Sequence, residues 1–187
     1  MSAIAPATRL WSVKEYYLMA DTGILSPDER VELLEGEVIS MAAKNPPHVI
    51  TTKLASDYLE DLLTGLALVR TQDPIHINEH SQPEPDIAVV MLPLRRYLEH
   101  HPLVDEIFLI IEVADATLTF DTERKAALYA QAGVTDYWVV DVGDRQVYIF
   151  REPVAGTYTN KSVLSENCTI KPLAFPEIEV ALWEFFP

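Results

Sequence analysis

The sequence contains little cysteine, little glycine and no long hydrophobic run. Its one cysteine, Cys168, excludes an intramolecular disulfide and a cysteine-rich zinc site, and it fits a reducing cytoplasm. The 6 glycines form no Gly-rich phosphate loop, and there is no Gly-x-Ser-x-Gly motif of a serine hydrolase. The longest uninterrupted apolar run, Ile107 to Ile111, is far too short to span a membrane. We therefore expect a soluble, cytoplasmic protein.

Positive charge is also scarce. Lysine and arginine total 14 against 29 aspartates and glutamates, so the net charge is −15. A general nucleic-acid binder presents a basic surface, because neutralising phosphates releases counterions. An acidic chain can still bind DNA through a local basic groove and a bound metal ion. The charge therefore argues against non-specific nucleic-acid binding and carries no information about the fold.

The length and apolar content are those of an ordinary globular chain. Hydrophobic residues make up 49% of the 187 residues, enough for a core. We expect one domain over residues 1–187, with its core at about 10–182. A capping box at Ser12 begins a helix over 13–20, Asn45 and Pro46 begin a second that ends at Gly65, and Thr119 or Asp121 caps a third over 122–132.

Short apolar runs between turn residues predict the strands. They lie at 31–34, 37–41, 66–70, 75–78, 86–91, 107–114, 137–142, 146–150, 158–164 and 178–182. Strands and helices do not alternate regularly, so a doubly wound parallel sheet is not expected. The pattern predicts an α/β fold in which a mixed sheet packs against about three helices.

Glu112 is the anomaly of this pattern. It lies near the end of the most apolar strand, where a carboxylate loses its hydration unless a cation or hydrogen-bond donors meet it. A structural explanation is that the strand reaches the surface at Glu112, which then forms an ion pair. A functional explanation is that Glu112 binds a metal ion.

Asp86 is the second candidate, because it begins its own apolar strand after Pro85. If 86–91 and 107–114 pair antiparallel, Asp86 and Glu112 converge at one edge of the sheet. Two carboxylates in contact repel, and Mg²⁺ or Mn²⁺ would relieve that repulsion while keeping waters and accepting a phosphate oxygen. The alternative for Asp86 is a turn or capping role.

These residues are part of a longer ordered set of motifs. The set comprises Glu32-Leu33-Leu34-Glu35-Gly36-Glu37, Met41, His48, Pro85-Asp86, Glu112-Val113, Asp121, Lys125, Tyr129, Gly133 and Tyr137-Trp138-Val139-Val140-Asp141. In order and spacing it resembles the bacterial Uma-type restriction endonuclease family, formerly a domain of unknown function, in the PD-(D/E)XK nuclease superfamily. The resemblance covers about residues 10–180 and implies a restriction-endonuclease-like mixed sheet.

The resemblance implies that Asp86 and Glu112 are the paired metal ligands, with Mg²⁺ or Mn²⁺ as the cofactor. It also implies a contribution from a glutamate of the first hairpin. We select Glu32, which matches the strand glutamate before the glycine turn, and Glu35 and Glu37 stay open. Alternatively, these glutamates are solvent-facing residues of an exposed hairpin.

The lysine of the superfamily motif is missing. The expected position, two residues after Glu112, is Ala114, and a lysine of the following helix substitutes in such proteins, here Lys125. Asp121, Lys125 and Tyr129 share one helical face, so they could together face the sheet edge. Lys125 would orient the attacking water or stabilise charge on the phosphate, unless it forms a surface pair with Asp121.

Three functions remain open. The first is a Mg²⁺-dependent endonuclease that hydrolyses DNA phosphodiester bonds with Asp86, Glu112, Lys125 and Glu32, as a homodimer if it follows its superfamily. The second is a nuclease-fold protein without catalysis that serves in binding or assembly, which the charge and Ala114 favour. The third is hydrolysis of another phosphoester or nucleotide. Gln72 and His48 are further candidates for the same site.

Overall fold

The computed structural model describes residues 7–187. Its helices are α1 (Val13–Asp21), α2 (Pro46–Leu62), α3 (Leu118–Phe120) and α4 (Ala126–Ala132), with a π-helical turn (Asp121–Lys125) joining the last two. Its strands are β1 (Val31–Leu34), β2 (Glu37–Ser40), β3 (Leu68–Thr71), β4 (Ile87–Val90), β5 (Ile107–Ala114), β6 (Asp136–Asp141), β7 (Gln146–Val154), β8 (Thr157–Ser165), β9 (Thr169–Ile170) and β10 (Val180–Ala181).

Six of these strands form the central sheet, in the order β3-β4-β5-β6-β7-β8. Only β5 and β6 run parallel, and every other neighbouring pair is antiparallel. The helical segment 118–132 connects β5 to β6, because two parallel strands require a crossover connection. The predicted mixed α/β sheet flanked by helices is confirmed.

The two faces of the sheet bury different side chains. Strand residues of one parity, such as Ile111 and Trp138, pack with Leu59 of α2 and with Phe185. Residues of the other parity, such as Ile110 and Tyr137, pack with Tyr129 of α4. Successive strand residues point to opposite faces, so Glu112 and Ile110 lie on the α4 face.

Most of the predicted elements are confirmed, including the capping box at Ser12, the side-chain cap of Asn45 on α2 and the β1–β2 hairpin. Two predictions are wrong. Residues 75–78 make only isolated bridges, at His76 and Asn78, because the chain there pairs with loops. Neither Thr119 nor Asp121 caps a helix, since the helical segment begins at Leu118 and both residues lie inside it. No helix in residues 7–187 combines the length and apolarity needed to cross a membrane.

Candidate active site

A pocket of about 360 Å³ opens near the end of β5. Its walls come from the hairpin, the start of α2, the segment before β4, and the π-helical turn. Five buried ionisable side chains line it: Glu32, Asp86, Glu112, Asp121 and Lys125. Four carboxylates thus share one pocket with a single buried lysine.

The strand register brings Asp86 and Glu112 to the same place. The last paired residues of β4 and β5 in this direction are Ile87 and Ile111, so Asp86 and Glu112 follow one position further along the antiparallel pair. Both are on the α4 face, since they have the parity of Ala88 and Ile110. The expected convergence of the two acids at one sheet edge is therefore present.

Glu112 does not lie at the surface. Its side chain is buried, and its Oε1 accepts hydrogen bonds from Lys125 Nζ at 2.9 Å and from Tyr129 OH at 2.9 Å. Lys125 Nζ also lies 3.2 Å from Oε1 of Glu32. Lys125 is therefore a buried bridge between two acids and not half of a surface pair with Asp121. In this arrangement, residues from β1, β5 and the π-helical turn are tied together by one ammonium group.

Asp86 is held by three donors. Its Oδ2 accepts from the backbone N–H of Val113 at 2.9 Å and lies 3.1 Å from Nε2 of His48, while its Oδ1 accepts from Gln72 Nε2 at 3.0 Å. Burial alone would raise the pKa of Asp86, but the bonds from His48, Val113 and Gln72 outweigh burial and hold it below its ordinary value. Asp86 is therefore kept ionised, and both Gln72 and His48 reach the site.

Asp121 faces the pocket from the first residue of the π-helical turn. Its Oδ2 accepts from the Thr117 hydroxyl at 2.5 Å, and its backbone carbonyl accepts from Tyr137 OH at 2.9 Å. Single π-helical turns are often found at functional sites. Here the turn supplies both Asp121 and Lys125, which point into one pocket although only the lysine is tied to Glu112.

Burial and the crowding of acids in the pocket raise the pKa of two of them. Burial raises the pKa of Glu112 to about 8, because the carboxylates of Asp121, Asp86 and Glu32 add to lost hydration while Lys125 opposes them. Burial likewise raises the pKa of Asp121 to about 6. The pKa of Lys125 is raised, since burial is outweighed by Glu112, Glu32 and Asp121.

The hairpin glutamates differ in position. Glu32 is 3% exposed and lines the pocket, while Glu35 and Glu37 are outside it and face Arg124, whose Nη2 donates to Glu37 Oε2 at 2.5 Å. All four residues of β1 are buried, so Glu32 is not on a solvent-facing strand. The interpretation of these three acids as solvent-facing is therefore wrong for Glu32.

The carboxylate oxygens available in the pocket suit a hard cation. In the described chain, no hydrogen bond reaches Glu112 Oε2 or Asp121 Oδ1, although both residues are at least nine-tenths buried. Unpartnered carboxylate oxygens in a crowded acidic pocket are the chemistry that Mg²⁺ or Mn²⁺ prefers. As arranged, however, residues 7–187 contain no group of three or more His, Cys, Asp or Glu side chains already positioned to hold a metal ion.

Several pocket residues were not identified from the sequence. Glu84, Asp115, Arg30 and Lys44 all line it. The signal for Glu84 and Asp115 was their position, next to Pro85 and directly after β5. Arg30 and Lys44 lie in loops, where no periodicity indicates a common site.

The fold is similar to the crystal structure of a protein from Anabaena variabilis described as a putative nuclease belonging to DUF820, with a TM-score of 0.73 and 14% identity over 94% of this chain and 97% of that chain. No curated protein matches the chain. The pattern of the Uma2 family, described as "putative restriction endonuclease", matches residues 13–182. The chain therefore belongs to the Uma2 family and has a nuclease-like fold.

Proposed function

We propose that the chain is a Mg²⁺- or Mn²⁺-dependent endonuclease that hydrolyses phosphodiester bonds in DNA. The observation that carries the proposal is the pair Asp86 and Glu112, drawn from two antiparallel strands into one pocket beside the buried Lys125. Membership of the Uma2 family supports the same reaction class. The protein would act in the cytoplasm, as a homodimer whose two sites cut the two strands.

Each pocket residue receives a role from its contacts. Asp86 and Glu112 would hold the ion, with Asp121 Oδ1 and Glu112 Oε2 free to contribute. A bound divalent ion supplies Lewis acidity and a more acidic water. Asp86 is already ionised for this task, since His48 and Gln72 fix its oxygens, and the hydroxyl of Tyr129 fixes Glu112.

Lys125 would stabilise negative charge that develops on the scissile phosphate. Glu32 and Glu112 hold its ammonium group, and burial spares it from competition with water. Glu32 would therefore act as a positioning residue: it sets where the lysine points. This arrangement takes over the task of the missing lysine at Ala114, because the ammonium group reaches the same carboxylate from the π-helical turn.

The test is nicking of supercoiled plasmid DNA with Mg²⁺ or Mn²⁺. We expect cleavage by the wild type, its loss in Asp86→Asn and Glu112→Gln, and partial loss in Lys125→Ala. Asp57→Asn is the matched control, because Asp57 is an exposed acid of α2 that pairs with Lys53 outside the pocket. Cleavage that survives Asp86→Asn would overturn the assignment of the site.

A second candidate is a binding or assembly protein that kept the fold and lost catalysis. The net charge of −15 and the lysine already engaged by both acids favour it. It predicts no cleavage with any divalent ion and no thermal shift with Mn²⁺. Cleavage of small phosphoesters without cleavage of DNA would instead indicate a phosphoesterase.

A further inference from the structure

Two cations at the mouth of the pocket have no acidic partner. Arg30 and Lys44 both line the pocket, from the loops before β1 and after β2. Within residues 7–187 neither forms an ion pair, and the guanidinium of Arg30 donates only to the Ala42 carbonyl, at 3.2 Å, and to the Met41 sulfur, at 3.9 Å. In a chain with 29 acidic and 14 basic residues, two unpaired cations that line one pocket are unexpected.

The other cations around the pocket are occupied. Arg124 is paired with Glu35 and Glu37, and Lys125 is paired with Glu32 and Glu112. Lys53 and Arg70, further along the surface, pair with Asp57 and Asp73. The free positive charge at this opening therefore comes from Arg30 and Lys44 alone among the described residues near the pocket.

Arg30 and Lys44, the two rim cations, act electrostatically on each other and on the acids of the pocket. Burial, followed by the charge of Arg30, lowers the pKa of Lys44, while Asp86 and Glu84 oppose this. Like charges held together repel, and a group with negative charge between them would relieve that repulsion. The rim thus offers two cations to an anion that approaches the carboxylates from outside.

We propose that Arg30 and Lys44 bind a backbone phosphate of the nucleic acid and so seat the strand across the pocket. The proposal rests on the proposed nuclease function and adds the residues that bind its substrate. A guanidinium can contact two phosphate oxygens at once and an ammonium acts as a point charge, which together suit a phosphodiester. The rim supplies the local basic feature that an acidic chain needs to bind DNA.

The competing explanation is that these cations only balance the pocket acids. Burial and Glu32 raise the pKa of Glu84, and Arg30 and Lys44 lower it. If that balance were their whole role, removing them would weaken the Mn²⁺-free fold or alter ion binding, and DNA contacts would not depend on them. Counting released counterions separates these explanations, because it measures phosphate contacts directly.

The experiment titrates a short fluorescent DNA duplex by anisotropy at several salt concentrations, with Ca²⁺ in place of Mg²⁺ to slow hydrolysis. For the double variant Arg30→Ala/Lys44→Ala, we expect affinity to fall about tenfold per lost contact. The slope of log K against log salt should become less negative by about 0.9, because the two side chains neutralise one phosphate. Lys14→Ala, an exposed lysine of α1, is the control and should change neither value.

Two further measurements keep the outcome clear. The double variant should retain the Mn²⁺ thermal shift of the wild type, and Arg30→Lys/Lys44→Arg should restore most of the salt slope. An unchanged slope in the double variant overturns the inference even if plasmid cleavage persists. DNA binding that depends on Arg30 and Lys44, without plasmid cleavage, supports the inference and overturns the endonuclease proposal. Loss of the Mn²⁺ shift in the double variant, or no duplex binding by the wild type, overturns the inference.

Discussion

Asp136 and the pocket acids Glu112 and Asp121 are all buried, but they differ in how fully their carboxylate oxygens are hydrogen-bonded. Asp136, at the start of β6, is completely buried and accepts four hydrogen bonds: from Arg151 Nε at 2.8 Å and Nη2 at 3.1 Å, from Trp138 Nε1 at 2.7 Å, and from the Leu173 N–H at 2.9 Å. Each carboxylate oxygen has two donors. A cationic partner and hydrogen bonds balance the cost of burying this charge.

Two acids of the pocket, Glu112 and Asp121, lack that satisfaction. Glu112 and Asp121 each have all their donors on one oxygen, and they share their surroundings with Asp86 and Glu32. One buried lysine cannot balance four carboxylates. A satisfied buried acid holds the fold together, whereas a crowded one with spare oxygens leaves interaction capacity for a ligand, the pattern expected at functional sites.

The largest expected effect that separates the two groups is on catalysis. Glu112→Gln should lower plasmid cleavage per folded molecule on the order of a thousandfold, because a ligand of the Lewis acid is lost, worth several kcal/mol in the transition state. Asp136→Asn should leave the rate per folded molecule unchanged. Rates are to be normalised to the folded fraction measured by circular dichroism, and an equal loss in both variants would contradict the distinction.

The second effect is on stability and has the opposite order. Asp136→Ala should lower the free energy of unfolding by about 3–5 kcal/mol, because it leaves the partly buried Arg151 and the buried Trp138 N–H without their acceptor. Glu112→Gln should change it by less than about 1 kcal/mol at neutral pH, since the raised pKa leaves Glu112 largely protonated there and Glu32 still pairs with Lys125. Urea denaturation measures both, and a larger loss for Glu112→Gln would mean that Glu112 is structural.

The third effect is stabilisation by the ion itself. At a Mn²⁺ concentration about 100 times its dissociation constant, the wild type should gain about 2.7 kcal/mol of unfolding free energy. Glu112→Gln should gain little, and Asp57→Asn should respond like the wild type. Thermal denaturation with and without Mn²⁺ tests this. A shift that persists in Glu112→Gln would locate the ion elsewhere.

How far sequence reasoning reaches can be judged from these same residues. The apolar runs 86–91 and 107–114 predicted two neighbouring strands, and antiparallel pairing then required Asp86 and Glu112 to meet at one end, as the register has it. The helical spacing of Asp121, Lys125 and Tyr129 predicted a common face. These predictions succeed because they depend on local periodicity and on one pairing.

Contacts between distant segments could not be predicted in this way. Nothing in the alternation of β1 marks Glu32 as buried, because both faces of that strand are covered and the alternation vanishes. Aspartate often caps a helix, but Asp121 is the first residue of a π-helical turn that local patterns do not indicate, and its side chain accepts from Thr117, which precedes the helical segment. Arg30 and Lys44 line one pocket only because two loops reach it from different parts of the chain.

The smallest effect is on pH dependence, and its sign follows from the raised pKa of Glu112. The ordinary pKa is 4.5 and the folded value is about 8, so between pH 6 and 8 the folded protein retains a proton that the unfolded chain has lost. Stability without metal should therefore fall as pH rises through this range, by at most about 1.4 kcal/mol per pH unit. Asp121, with a pKa of about 6, contributes at the lower end of the range.

Urea denaturation at several pH values, with and without Mn²⁺, measures this slope. Glu112→Gln should flatten it, because the variant has no proton to lose, and Asp57→Asn should keep it. Saturating Mn²⁺ should remove or reverse the slope in the wild type, since the ion binds the ionised acids and displaces the proton. If the wild type and Glu112→Gln showed the same slope without metal, Glu112 would be a satisfied acid like Asp136, and the contrast between the two groups would not hold.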